Sequence, residues 1–176
     1  MNERAFYIGR FQPFHLGHLN AIKWILSREH EVVVAIGSAQ QSFEPKNPFT
    51  SGERALMIWE SLKREELLHR VLIVMIPDTL FEHSKWVCNI RTFSPRFDIA
   101  YTNDELSRIL LEDAGYQVKP IPFFDREKYS GTSIRQLMAL RRQEWRILVP
   151  PETAHVIDSI QGEERVHKIY KLHGLL

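Results

Sequence analysis

Phe6-Tyr7-Ile8-Gly9-Arg10-Phe11-Gln12-Pro13-Phe14-His15-Leu16-Gly17-His18 joins a short apolar strand to the first turn of a helix. The strand is read over Ala5–Ile8. Pro13 fixes φ and forces a turn. Leu19, Ile22, Ile25 and Leu26 then recur at helical spacing, predicting a helix over Leu16–Arg28. A helix N-terminus carries free N–H groups and a partial positive charge. The polar residues clustered there therefore read as a phosphate site. Gly9 and Gly17 let the backbone come close to such a ligand.

Working outward, Glu31–Ile36 is a buried-type strand. Strand, helix and strand over this length make a parallel βαβ unit. A long polar loop, Gly37–Phe49, follows, of a length that is usually functional or mobile. Thr50-Ser51-Gly52-Glu53 matches a capping box, and Ala55, Ile58, Trp59 and Leu62 give the next helix one apolar face. Val71–Ile76 is the third strand, Ser84–Phe93 a short helix and Phe97–Tyr101 the fourth strand. Asn103 or Asp104 caps a helix that Gly115 ends, and Tyr116–Lys119 is the fifth strand. A loop with Pro120, Pro122, Phe123 and Phe124 leads to a helix that Thr132 or Ser133 caps and that runs to about Arg142. Two helical segments follow Pro150-Pro151, with Val156, Ile157 and Ile160 on one apolar face and Val166, Ile169, Tyr170 and His173 on the other. Five apolar strands alternating with helices predict an α/β fold: a doubly wound, parallel, five-stranded, Rossmann-like sheet with C-terminal helices. Ligands of such sheets bind beyond the carboxyl ends of the strands, where the strand order reverses.

The chain has 176 residues, enough for one domain with a sizeable core, read over 1–176 with a C-terminal helical cap over about 150–176. A net charge of +1 gives no bulk electrostatic case for nucleic acid or an anionic membrane. The lone Cys88 excludes an internal disulfide framework. The longest clean apolar run, Val71–Ile76, is far too short to span a bilayer. With no apolar secretory segment before the first strand, the expected setting is cytoplasmic. His15 and His18, at i and i+3, can face one ligand. A metal site lacks a third clear ligand nearby, and two solvated surface histidines are the bland alternative. Their place at a helix N-terminus favours a phosphate.

Gly9-Arg10-Phe11-Gln12-Pro13-Phe14-His15-Leu16-Gly17-His18 resembles the signature of the H-x-G-H nucleotidyltransferase superfamily, and more closely that of the archaeal-type nicotinamide mononucleotide (NMN) adenylyltransferases. Tyr129-Ser130-Gly131-Thr132-Ser133-Ile134-Arg135 resembles that family's second motif. Asn47-Pro48-Phe49-Thr50 with Gly52-Glu53-Arg54, and Trp86-Val87, match further in order and spacing. The resemblance implies adenylyl transfer from ATP to NMN, giving NAD and pyrophosphate by direct in-line attack. It implies catalytic roles for His15, His18, Arg135 and Arg10. It implies ATP contacts from Gly9, Phe11, Gln12, Gly17, Ser130, Thr132, Ser133 and Ile134, and NMN contacts from Trp86, Asn89, Asp78, Ser38 and Lys46. Trp86 offers a flat, electron-rich ring for a cationic pyridinium, although a tryptophan is more often core. Asp78 has the alternative of an ordinary turn residue, and Lys46 that of a solvated side chain. Arg135, read in the first turn of its helix, opposes the helix dipole there, which a bound anion would offset.

Mg²⁺ or another divalent cation is expected with ATP, with no protein side-chain ligand. Relatives assemble into multimers, and apolar Tyr170, Leu172, Leu175 and Leu176 predict a homo-oligomeric contact. The alternatives are another H-x-G-H nucleotidyltransferase, with a phosphopantetheine, flavin mononucleotide or glycerol-phosphate acceptor, or a non-catalytic nucleotide sensor.

Overall fold

The computed structural model describes residues 4–122, 124 and 128–176. Phe123, read as part of the loop before a late helix, lies outside them. Five parallel strands form one sheet in the order β3-β2-β1-β4-β5. They are β1 (Arg4–Gly9), β2 (Glu31–Ile36), β3 (Val71–Met75), β4 (Ile99–Tyr101) and β5 (Gln117–Lys119). Helices α1 (Leu16–Leu26), α2 (Ser51–Arg64), α3 (His83–Phe93) and α4 (Glu105–Asp113) form the crossovers, and α5 (Gly131–Ala139), α6 (Pro151–Ser159) and α7 (Gly162–Leu172) follow the sheet. The doubly wound parallel sheet read from the sequence is the fold observed. Among the described residues no helix is long and apolar enough to cross a membrane.

The strands read as continuous apolar runs because both faces of the sheet are covered. On β2, Val32, Val34 and Ile36 enter a core shared with α1, α2 and α5–α7, while Val33 and Ala35 enter a smaller core under α3 and α4. Ala154, Val156, Ile157, Val166 and Tyr170 of the last two helices belong to the larger core.

Local expectations change at several points. Helix α1 stops at Leu26, with Ser27 as its C-cap. The buried face of α2 is Arg54, Met57, Ile58, Ser61 and Leu62, whereas Trp59 is exposed under the Lys63 ammonium, 4.7 Å from its ring. Ser130, not Thr132 or Ser133, is the N-cap of α5. That helix ends at Ala139 because Arg141 turns left-handed, at φ 54°, so Arg141 and Arg142 lie beyond its end. Arg135 is thus the fifth residue of α5, past the first turn. Tyr170 is buried, so the exposed apolar tail is Leu172, Leu175 and Leu176, and His173 faces solvent. The 37–49 loop is anchored rather than loose. Arg54 holds its start, Asn47 bonds Gln41, Arg135 takes the Pro45 carbonyl and Gln12 clasps Phe49.

Candidate active site

The strand order reverses between β1 and β4, and a cavity of about 570 Å³ opens there at the carboxyl ends of the strands. The N-termini of two helices face it, through Gly17 and His18 of α1 and through Ser130 and Gly131 at the start of α5. Neither helix carries an acid in its first turn, nor does α3, whereas α2, α4, α6 and α7 all do. Acids normally answer the positive end of the dipole, so the two helices that point into the cavity leave that end free for an anion.

His15 is the N-cap of α1, in extended conformation, and is buried. Its ring stacks on that of His18 with centroids 3.5 Å apart, and Phe14 stacks on His18 at 5.8 Å. Phe11 meets His18 edge-on at 4.8 Å. His18 Nδ1 accepts the His15 backbone N–H at 3.2 Å, which places the neutral ring's proton on Nε2. His15 Nδ1 is buried with no hydrogen-bond partner among the described residues. Burial lowers the His15 pKa to about 4. Burial, with the neighbouring His15 charge, lowers that of His18 well below the ordinary histidine value. Both are therefore neutral N–H donors at pH 7. A Cβ on Gly17 would lie 3.0 Å from Tyr129 Cβ and 3.1 Å from His15 Nδ1, so it would push on both by a few tenths of an ångström.

Arg10 is exposed and lines both this cavity and a second one of about 530 Å³, where Lys46, Thr132 and Arg135 also lie. Three cations thus converge beside the first cavity. Arg135 is buried, and its guanidinium donates to the Gln12 carbonyl at 2.7 Å, the Pro45 carbonyl at 3.1 Å and Thr132 Oγ1 at 3.3 Å. The dipole conflict read from the sequence is thereby resolved inside the protein, by backbone carbonyls.

Other residues singled out from the sequence lie elsewhere. The Gln12 side chain is buried and pairs with both backbone groups of Phe49, at 2.8 and 3.0 Å. Phe11, at φ 53°, supports His18 from below. Ile134 is core, and Ser133 lines neither cavity. Ser38, Asp78, Trp86 and Asn89 line neither cavity; they gather after β2 and β3. Ser38 Oγ donates to Asp78 Oδ2 at 3.1 Å, Gln40 pairs with the backbone N–H and carbonyl of Asp78, and Asn89 donates to the Pro77 carbonyl at 3.2 Å. Trp86, one turn before Asn89 on α3, is half-buried against the smaller core.

Sequence reasoning missed Thr102, Asn103, Ile121, Pro122 and Tyr129 as cavity walls. Asn103 had been weighed only as a helix cap, a role that Asp104 fills by accepting from Ser107 N–H. Instead its amide pairs with both backbone groups of Ile121, at 2.7 and 3.0 Å. The signal was available: any polar residue just beyond β4 at a switch point is a candidate wall. Arg54, quoted only as part of a motif, is completely buried beneath the site.

Acid-free helix N-termini, a stacked pair of neutral imidazoles and flanking cations at the switch point define a nucleotidyl-transfer type of site. A family model described as cytidylyltransferase-like matches residues 6–137. The chain is 45% identical over 168 residues to a nicotinamide-nucleotide adenylyltransferase of Methanolobus tindarius, covering 96% of this chain and 95% of that one. It is 44% identical over 169 residues to one of Ignicoccus hospitalis, covering 96% and 98%. The chain belongs to the nicotinamide-nucleotide adenylyltransferase family, within the cytidylyltransferase-like group. A crystal structure of a bifunctional NMN adenylyltransferase/ADP-ribose pyrophosphatase from Francisella tularensis, complexed with AMP and manganese, superposes with a TM-score of 0.80 at 21% identity. It matches 96% of this chain, which spans about half (52%) of that protein, and at this identity the likeness speaks for the fold.

Proposed function

We propose that the protein transfers the adenylyl group of ATP to NMN, releasing pyrophosphate and forming NAD. The observation that carries this reading is the first cavity, where neutral His15 and His18 meet the open N-termini of α1 and α5. The NMN phosphate brings its own nucleophilic oxygen, so the protein's work is alignment and charge stabilisation. His18 Nε2–H and the first N–H groups of α1 donate to the α-phosphate as charge builds on its oxygens. His15 adds a second imidazole beside it. Arg10, between the two cavities, takes the bridging and leaving phosphates, with Lys46 and Arg135 beyond it. Gly9, Gly17, Ser130 and Thr132 give backbone or hydroxyl contacts to ATP. Asp78, Ser38 and Asn89 exchange their mutual bonds for those of the mononucleotide, and Trp86 stacks on its pyridinium.

A divalent cation accompanies ATP in this reading. Among the described residues no group of three or more acidic, histidine or cysteine side chains is placed to hold a metal. Asp104 and Glu105 line the cavity, Asp104 as the cap of α4. In this reading the ion is carried by the nucleotide's phosphate oxygens and water, as part of the substrate. The same reading takes residues 1–176 as one nucleotidyltransferase domain in a cytoplasmic setting. It takes the exposed Leu172, Leu175 and Leu176 as a contact between copies of the chain.

Pyrophosphate release with ATP and a panel of acceptors is the test. Turnover with NMN alone, or with NMN and nicotinic acid mononucleotide, supports the reading. Turnover only with phosphopantetheine, flavin mononucleotide or glycerol phosphate replaces the acceptor. Nucleotide binding with no turnover on any of them makes the protein a sensor.

A further inference from the structure

Arg54 has no accessible surface, and among the described residues no carboxylate is hydrogen-bonded to its guanidinium. The acid beside it, Glu53, is held by both guanidinium nitrogens of Arg165, at 2.7 and 2.8 Å. The Arg54 fork instead collects carbonyls. Nε donates to Thr50 O at 3.2 Å, Nη1 to Arg10 O and to Gly37 O, both at 2.9 Å, and Nη2 to Ser38 O at 3.1 Å. Burial, with the charge of Arg10, lowers its pKa to about 10, so it stays a cation at neutral pH. A buried cation held by carbonyls, with no carboxylate bonded to it, is expensive and is rarely the most stable filling for a core.

Its acceptors explain its place. Arg10 follows β1, and Gly37 and Ser38 follow β2, so one rigid group ties together the loops at the ends of two neighbouring strands. Those loops carry the polyphosphate side and the acceptor side of the site. Ser38 at φ 48° and Phe11, just after Arg10, at φ 53° adopt left-handed conformations that side chains disfavour, so both loops need an outside hold. A carbonyl turned outward here would present its negative end to two anionic reactants. Arg54 draws these carbonyls inward.

We propose that Arg54 is a positioning residue for adenylyl transfer: by binding the carbonyls of Arg10, Gly37 and Ser38 it fixes the two substrate loops against each other and turns their oxygens away from the phosphates. The proposal rests on the functional reading above. Arg54→Lys keeps the charge but has no planar fork for four carbonyls. With folding verified by thermal midpoint and near-ultraviolet dichroism, its kcat should fall about 100-fold, while ATP and NMN, each measured alone by calorimetry, bind within about threefold of wild type. Guanidinium ion, and not methylammonium, should restore part of the kcat of Arg54→Ala. A folded Arg54→Lys with wild-type kcat overturns the proposal, as does a loss that only follows the folded fraction. If neither variant folds, heteronuclear NMR of the wild-type chain decides. Each nucleotide, added alone, should shift the Arg54 guanidinium N–H resonances, and resonances that neither moves mark a purely structural group. Turnover of the wild type tests the functional reading itself, and its failure leaves the NMR result to be judged separately.

Discussion

On the β4–β5 side of the β1 loop, the N-termini of α1 and α5 border a cavity of about 570 Å³, and the buried His15 Nδ1 has no hydrogen-bond partner among the described residues. On the β2–β3 side polar groups close on each other, Ser38 onto Asp78, Gln40 onto the Asp78 backbone, and Asn89 onto Pro77. The first side is set for its ligand, with imidazoles fixed by stacking. In the proposed reaction the second side trades internal hydrogen bonds for those of its ligand, which are nearly equal in energy. The contrast predicts that changes on the first side strike rate, and changes on the second strike affinity for one substrate.

The largest effect is expected at His18. Removing one preorganised donor to developing charge costs about 10²–10³-fold in kcat. His18→Ala should lose that much with little change in KM for ATP, measured as initial rates of pyrophosphate release. An unchanged kcat would remove His18 from the transition state and break the contrast at its strongest point.

The same burial that keeps the imidazoles neutral makes the fold acid-sensitive. An unfolded histidine takes up its proton near pH 6.5, whereas folded His15 does so only near pH 4. Its contribution is therefore complete above about pH 6.5 and disappears as pH falls towards 4, reaching about 3 kcal/mol in full. His18, shifted the same way, steepens the loss. Urea titrations between pH 7 and 4 should show it, and His15→Asn should flatten the profile. A wild-type profile that is flat over that window would mean that the imidazoles are solvated.

Two side-chain amides clip loops in the same manner, one on each side of the site. Gln12 holds Phe49 in a buried setting, and Asn103 holds Ile121 in a partly buried one. Gln12→Ala strands a buried backbone N–H and carbonyl and should cost about 2–3 kcal/mol in denaturant unfolding. Asn103→Ala, whose partners water can reach, should cost about 1 kcal/mol but raise KM for ATP, because Ile121 walls the cavity. Equal costs, or no KM effect, would show that the two clips do not differ in function.

The sheet was legible because β-branched runs such as Val32–Ile36 fill both faces at once, a pattern that only a doubly covered strand sustains. The His15–His18 turn was legible because proline, glycine and helical periodicity coincide within a few residues. Less legible was everything set by contacts distant in sequence. Arg135 was seen as a cation in need of an anion, yet it is answered by Gln12 and Pro45, carbonyls that no local pattern announces. Gln12 lies inside the most informative motif of the chain and still points away from the cavity, into Phe49. Arg54 carries no periodic signal, since a cation on the buried face of α2 contradicts the amphipathic pattern that defines that helix. Residue type and local pattern were enough to place side chains where the backbone itself sets the geometry. They were not enough where a side chain's partner is chosen by the tertiary fold.

The smallest effect tests the second side directly. Trp86 lies on α3 one turn before Asn89, half-buried against the smaller core that holds Ile76 and Ile90. Among the described residues no ring or cation stacks on it, so its exposed part is free for a flat cationic ring. Such a contact contributes about 0.5–2 kcal/mol, or roughly 2- to 30-fold in binding. Trp86→Ala should weaken NMN binding by that factor in calorimetry and leave ATP binding unchanged. Trp86→Phe, which keeps a weaker π-face, should fall between the two. The neutral, reduced nicotinamide ring offers no cation, so its mononucleotide should bind wild type and Trp86→Ala alike. Equal weakening for charged and reduced rings would assign Trp86 to packing of α3 and leave the acceptor side without its one charge-specific contact.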